Sequence, residues 1–239
     1  MSVSLLKTHT LPFEYEIVRS GRRRSISIEV SKAKVVVRSP LFVANAQLEK
    51  FVNEKSGWVQ QKLTQQQYQI DEVPQRTYAS GSQLPLMDCT LTLKVNHQTQ
   101  ADIFRYGDEL RIYLASRSRL SDEDQARRLV GQWYQRQALN VLTTKTDSAA
   151  RAIGANHIGV TIKATRSKWG HCTVRGAIQY NWQILLAPEP IVDYLVAHEV
   201  SHLLHHNHSP DFWQIVASIC PEYKARRAWL KAHGIQLVL

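Results

Sequence analysis

The sequence predicts an α+β protein of two parts: a β-rich N-terminal region with one long helix over residues 1–118, and a C-terminal domain over 119–239. Three observations point there. Alternating, β-branched stretches fill much of the first half, a strong helix start stands at Ser121, and five of the ten histidines fall between His198 and His208.

Arg24 to Val30 alternates and sets Ile26, Ile28 and Val30 on one face, while Lys34 to Arg38 is β-branched and stops at Ser39-Pro40. From about Ala44 to Gln67 the period becomes helical, with Leu48, Phe51, Val52, Val59 and Leu63 near one face. Its glutamine-rich end reads as a solvated helix end or linker. Residues 78 to 115 return to strands, with Leu91, Leu93 and Val95 alternating and a turn signal at Tyr106-Gly107-Asp108. Ser121 and Asp124 then form a capping-box-like start for a helix running to about Arg151 and stopped by Gly154. A strand (Gly159 to Lys163), a basic loop (RSKWGHC) and a second strand (Ala177 to Leu186) follow. Pro188 and Pro190 stop that strand and start the histidine-bearing helix.

Apolar residues make up 44% and charged residues 21%, ordinary values for a globular chain, and no apolar run approaches the length of a membrane span. Three cysteines without a CxxC pair argue against a disulfide framework; with no secretory signal pattern, a cytoplasmic location is expected. The net charge of +10 divides evenly, with 16 basic against 11 acidic residues up to 118 and 14 against 9 beyond. Such a balance fits a solvated basic surface or a polyanionic partner, and charge alone does not separate them.

His198-Glu199-Val200-Ser201-His202 has HExxH spacing. Residues i and i+4 stack on one helix face, so both imidazoles can reach one metal. Glu199, turned about 100° away, can stand beside the metal as a base. For a third ligand, His205 would lie about 10 Å along a straight helix from His198, too far for one ion. His206 points to a flank. Ser209-Pro210-Asp211 is a helix start, so the chain must turn between about Leu204 and His208, with Asn207 able to take a left-handed conformation. That turn brings His208 back under the metal. Three imidazoles with an open fourth position suit one zinc ion. His9, His97, His157 and His233 are read as surface or core residues, and His205 and His206 as solvent-facing.

The stretch RSKWGHC…AIQYNW…LLAP…DYLVAHEVSHLLHHNHSPDFW…CPEYKARRAWLKAHG resembles the YgjP-like metallopeptidase family, related to WLM and SprT-like proteases within the zincin clan. The likeness covers nearly the whole chain and is most specific over residues 166–213. It implies a small zincin-like (minigluzincin-type) core of long helix, short sheet, active-site helix and backing helix. It also implies zinc on His198, His202 and His208, with Glu199 as general base. Two positions depart from the usual pattern: His171 stands in WGHC where members read WGSC, and the helix reads HEVSH where they read HELAH. The plain reading of the first is a tight turn fixed by Gly170 with Cys172 buried.

The expected activity is zinc-dependent hydrolysis of a peptide bond, with a peptide or protein as substrate. Tyr223, Arg166, Lys168 and His171 are candidates for stabilising the oxyanion or contacting substrate, and nothing in the sequence selects among them. The resemblance also suggests the strand Ala177–Leu186 as an edge for pairing an extended peptide. Arg22, Arg23 and Arg24 at a strand start are candidate anion or nucleic-acid contacts, and they keep two alternatives open. One is a metal-dependent nucleoside triphosphate pyrophosphohydrolase, the other a DNA-associated protease. A purely structural metal module has no use for Glu199 beside an open position.

Overall fold

The computed structural model describes residues 2–6, 11–31, 34–71, 74–165 and 168–239, without the side chains of 2–6, 66 and 68–71. Among these, no helix is long and apolar enough to cross a membrane. The chain forms two compact units, Met1–Val73 and Pro74–Leu239.

The first unit holds β1 (Ser2–Leu6), β2 (Tyr15–Arg19), β3 (Ser27–Ser31) and β4 (Lys34–Ser39) in the order β1-β2-β4-β3. The inner pair β2 and β4 is parallel, and the outer strands are antiparallel to their neighbours. Period-2 patterning buries Tyr15, Ile17, Val35 and Val37 on one face. Leu48 and Val52 of α1 (Asn45–Glu54) and Val59 of α2 (Ser56–Asp71) complete that core. The single helix expected over 44–67 is thus two, separated at Lys55.

The second unit opens with β5 (Gln83–Leu86), β6 (Cys89–Gln98), β7 (Asp102–Tyr106) and β8 (Glu109–Ala115), ordered β5-β6-β8-β7. Leu84, Leu91, Leu93, Leu110, Ile112 and Leu114 face inward onto α3 (Asp122–Ala152), where Val130, Trp133 and Tyr134 meet them. The Tyr134 hydroxyl donates to the Pro85 carbonyl at 2.6 Å. The boundary expected after residue 118 lies within the second unit, where residues of β5–β8 and of this helix share one core. The α3 start follows the sequence: Ser121 Oγ accepts from the Asp124 amide at 3.1 Å, and Gly154, at φ 66°, stands just past the helix.

The other flank of α3 carries β9 (Gly159–Lys163), β10 (Gly170–Cys172) and β11 (Ala177–Asn181), ordered β10-β11-β9. The strand expected to reach Leu186 ends at Asn181. There the side-chain oxygen accepts from the Gln183 amide and starts a 3-10 turn over Trp182–Leu186. Three helices follow: α4 (Glu189–Ser201), α5 (Pro210–Ile219) and α6 (Tyr223–His233). Lys145 on α3 reaches Glu189 at 2.6 Å and Asp193 at 2.7 Å, tying the long helix to the first turns of α4.

Candidate metal centre

Helix α4 is buried nearly all round: Ile191, Val192, Leu195, Val196 and Val200 are core residues, which fixes the direction of its C-terminal turn. His198 lies on that turn and His202 is its C-cap, still at helical φ and ψ, so the two rings meet edge to face with centroids 5.0 Å apart. The chain then leaves the axis. Leu203 and Leu204 donate back to Val200 and Ser201, and the turn closes without a left-handed Asn207: Met87 is the one described non-glycine residue at positive φ. Short-range 3-10-type bonding supplies the reversal instead. Helix α5 restarts where Ser209 Oγ accepts from the Phe212 amide at 3.4 Å, with Pro210 at the first helical position.

His208, just before that cap, is returned to the α4 face. Its Nε2 lies 3.2 Å from His198 Nε2, and one ligand atom from each of His198, His202 and His208 falls within 4.8 Å of the others. His202 Nδ1 meets the His205 carbonyl at 2.9 Å, which leaves its Nε2 free to face the cluster. The side chains of His205 and His206 are outside the cluster, although the His205 backbone orients His202.

Burial, the neighbouring imidazoles of His202 and His208, and Arg227 push the His198 pKa down to about 3. Burial, opposed by the His205 carbonyl, also lowers that of His202. Both rings are therefore neutral near pH 7, the protonation state a metal ligand needs. The neutral pair His198–His208 can share one Nε2–H···Nε2 hydrogen bond at 3.2 Å, and both nitrogens become ligand atoms when that proton is displaced by a cation. The donor set fits a zinc ion.

Glu199, about 100° around the helix from His198, is 4% exposed. Burial pushes its carboxyl up to about 8, while Lys168 nearby pulls in the opposite direction. Its neighbour is Gly170 on β10. A Cβ built there would lie 2.3 Å from Glu199 Oε1 and 2.5 Å from Cγ and Cδ, so only glycine admits this carboxylate position. From sequence, Gly170 is expected only to fix a turn. A single sequence carries no mark that distinguishes a turn from a contact with a helix far along the chain. Cys172 is buried on the same strand face as Gly170, and burial with Glu199 nearby pushes its thiol up to about 11.

The other candidate residues separate. His171 of β10 is exposed, on the strand face opposite Gly170, and is near enough to His202 to add to the lowering of its pKa. Lys168 is exposed beside the strand. The Tyr223 ring stacks on Trp213 at 5.2 Å. Arg166 lies outside the described residues. Arg22, Arg23 and Arg24 belong to the first unit, in the segment between β2 and β3, where Arg23 donates to Ser27 Oγ at 2.7 Å. Among the isolated histidines, His97 meets Asp122 at 2.9 Å and His157 meets Asp147 at 2.7 Å, while His233 packs on Trp229; His9 lies outside the described residues.

The site thus joins a helix-borne pair of imidazoles to a third from the following turn, with the buried Glu199 on the same helix turn as His198. The family model for the YgjP-like metallopeptidase domain matches residues 24–233, and the chain belongs to that family. Metallopeptidases are hydrolases that use a metal ion, and the His198–His202–His208 cluster supplies the matching donors. No curated protein and no solved structure shows significant similarity to the chain.

Proposed function

We propose that the protein is a zinc-dependent peptidase in which His198, His202 and His208 hold the ion and Glu199 is the general base. The observation that carries the reading is the convergence of three imidazole ligand atoms within 4.8 Å at the end of the helix that also carries the buried Glu199. When bound, the ion supplies Lewis acidity that activates a water for attack. Glu199 accepts the proton of the attacking water at its carboxylate and passes it to the departing amine. Gly170 leaves the room that this carboxylate occupies, and Lys168 favours its ionised form.

Strand β10 supports the substrate part of the reading. The strand first expected to pair with peptide, β11, has partners on both sides; of the two edge strands, β10 and β9, β10 is the one that packs on Glu199. The Trp169 carbonyl accepts from the Asn181 amide and the Thr173 amide donates to the Ala177 carbonyl, so the peptide groups of Gly170 and Cys172 turn toward the unpaired edge. An extended peptide added there would run alongside the residue that packs on Glu199.

The test is zinc-loaded protein against a peptide library and against the common nucleoside triphosphates, with Glu199→Gln in parallel. Expected is peptide cleavage by the wild type, slowed by at least about 100-fold in the variant. Equal turnover by the two would remove Glu199 from the mechanism. Triphosphate hydrolysis without peptide cleavage would replace the peptidase reading.

A further inference from the structure

A ligating histidine is ordinarily held by a hydrogen bond from its second ring nitrogen to a carboxylate or carbonyl. Only His202 has one here, to the His205 carbonyl. His198 Nδ1 is buried without a partner, and among the described residues none takes the Nδ1 of His208. Something else must stop these two rings from turning about their side-chain bonds.

The rings are gripped by aromatic faces. Phe212, fully buried, lies 5.1 Å from His198, 4.5 Å from His202 and 4.9 Å from His208, centroid to centroid. Trp213 lies 5.8 Å from His198 and stacks on His208 at 5.7 Å and 23°. Behind it, Tyr223 of α6 stacks on the indole at 5.2 Å and 17°, and the Arg227 guanidinium covers the same ring system at 4.8 Å. His208 is the exposed ligand, carried by a turn and not by a helix, so it has the most freedom to lose. The cap at Ser209 joins these parts: it starts the helix whose first turn delivers Phe212 and Trp213 to the ring of the residue just before it.

We infer that Trp213 is a positioning residue for the third metal ligand, locking the His208 ring by stacking in place of the usual hydrogen bond, with Tyr223 and Arg227 holding the indole from α6. This rests on the proposed metal site. The run His208-Ser-Pro-Asp-Phe-Trp213 then works as one device that combines ligand, helix cap and ring clamp.

Zinc affinity by chelator competition and the visible spectrum of the cobalt-substituted protein test the clamp, alongside the melting temperature of the metal-free form. Trp213→Leu keeps apolar bulk but removes the stack; it should weaken zinc by about 10- to 100-fold, the usual cost of losing a ligand's orienting partner, and broaden the cobalt bands. Trp213→Phe retains a ring and should restore affinity to within about threefold of wild type. Unchanged affinity in Trp213→Leu would overturn the inference. So would an equal loss in the Phe and Leu variants that follows their loss of melting temperature. Should Trp213→Leu not fold, Tyr223→Leu decides: weaker zinc binding supports the clamp, and wild-type binding refutes it. A wild-type protein that binds no zinc would overturn the metal reading, and the clamp with it.

Discussion

Replacing Gly170 by alanine tests the link between β10 and Glu199. The added Cβ would come to 2.3–2.5 Å from three atoms of the Glu199 side chain, where ordinary contact begins near 3.4 Å, so something must move by about 1 Å. The strand cannot easily yield, because Gly170 is paired with Tyr180 in β11, and Tyr180 is itself fully buried and bonded to Thr146 of α3. The carboxylate must swing away. A displacement of that size at a general base costs about 100-fold, rising toward the roughly 10²–10⁴ of losing the base altogether. Overpacking should also lower stability by about 1–3 kcal/mol. Zinc affinity should stay within a few-fold of wild type, since no ligand is touched. The assay combines kcat/KM on the best library peptide, metal titration and thermal melting for Gly170→Ala, Glu199→Ala and the double variant. With Glu199 shortened there is room for the methyl group, so the second substitution should cost almost nothing in activity or stability. A fully active Gly170→Ala, or additive losses in the double variant, would refute the reasoning.

Other outcomes follow from the same geometry. In the metal-free protein Glu199 is raised to about 8, so the unfolded chain binds fewer protons than the folded one between about pH 4.5 and 8, and stability falls as pH rises through that window. His198, lowered to about 3, acts oppositely and costs stability as pH falls from about 6.5 toward 3. The two slopes oppose between about pH 4.5 and 6.5; above 6.5, melting scans should show a decline of up to ~1.4 kcal/mol per pH unit that Glu199→Gln abolishes, and persistence of the decline would assign it elsewhere. Metal titration of His208→Ala should show weakened zinc binding, while His206→Ala keeps the wild-type affinity; the reverse pattern would move the third ligand. A fragment of residues 74–239 should melt cooperatively and one of 119–239 should not, because removing β5–β8 bares Val130, Trp133 and Tyr134; a folded 119–239 fragment would restore the boundary read from sequence.

What was legible in the sequence was local. Ser121 and Ser209 act on amides three residues away, so both helix starts could be read from spacing, and the second implied the turn that returns His208 to the α4 face. Alternation in β6 likewise marked Leu91 and Leu93 as its buried face. Long-range packing left no such mark. The contact between Gly170 and Glu199 joins a strand to a helix, and Trp213 is an ordinary amphipathic-helix residue until α6 lays Tyr223 against it. The boundary at residue 118 followed a change of period, but a change of period does not say which elements share a core, and α3 covers strands on both sides of it in the chain. Asn181 shows how one side chain overrides a pattern: its cap of the 3-10 turn ends a strand that the alternation alone would have continued.

X-ray absorption at the zinc edge of the reconstituted protein tests the central claim most directly. Three histidine nitrogens around a single zinc in wild type, the same shell in Glu199→Gln, and one histidine fewer in His208→Ala are the predicted results. A shell containing sulfur, or one unchanged by loss of His208, would contradict the assignment of His198, His202 and His208 as the ligands of a catalytic ion.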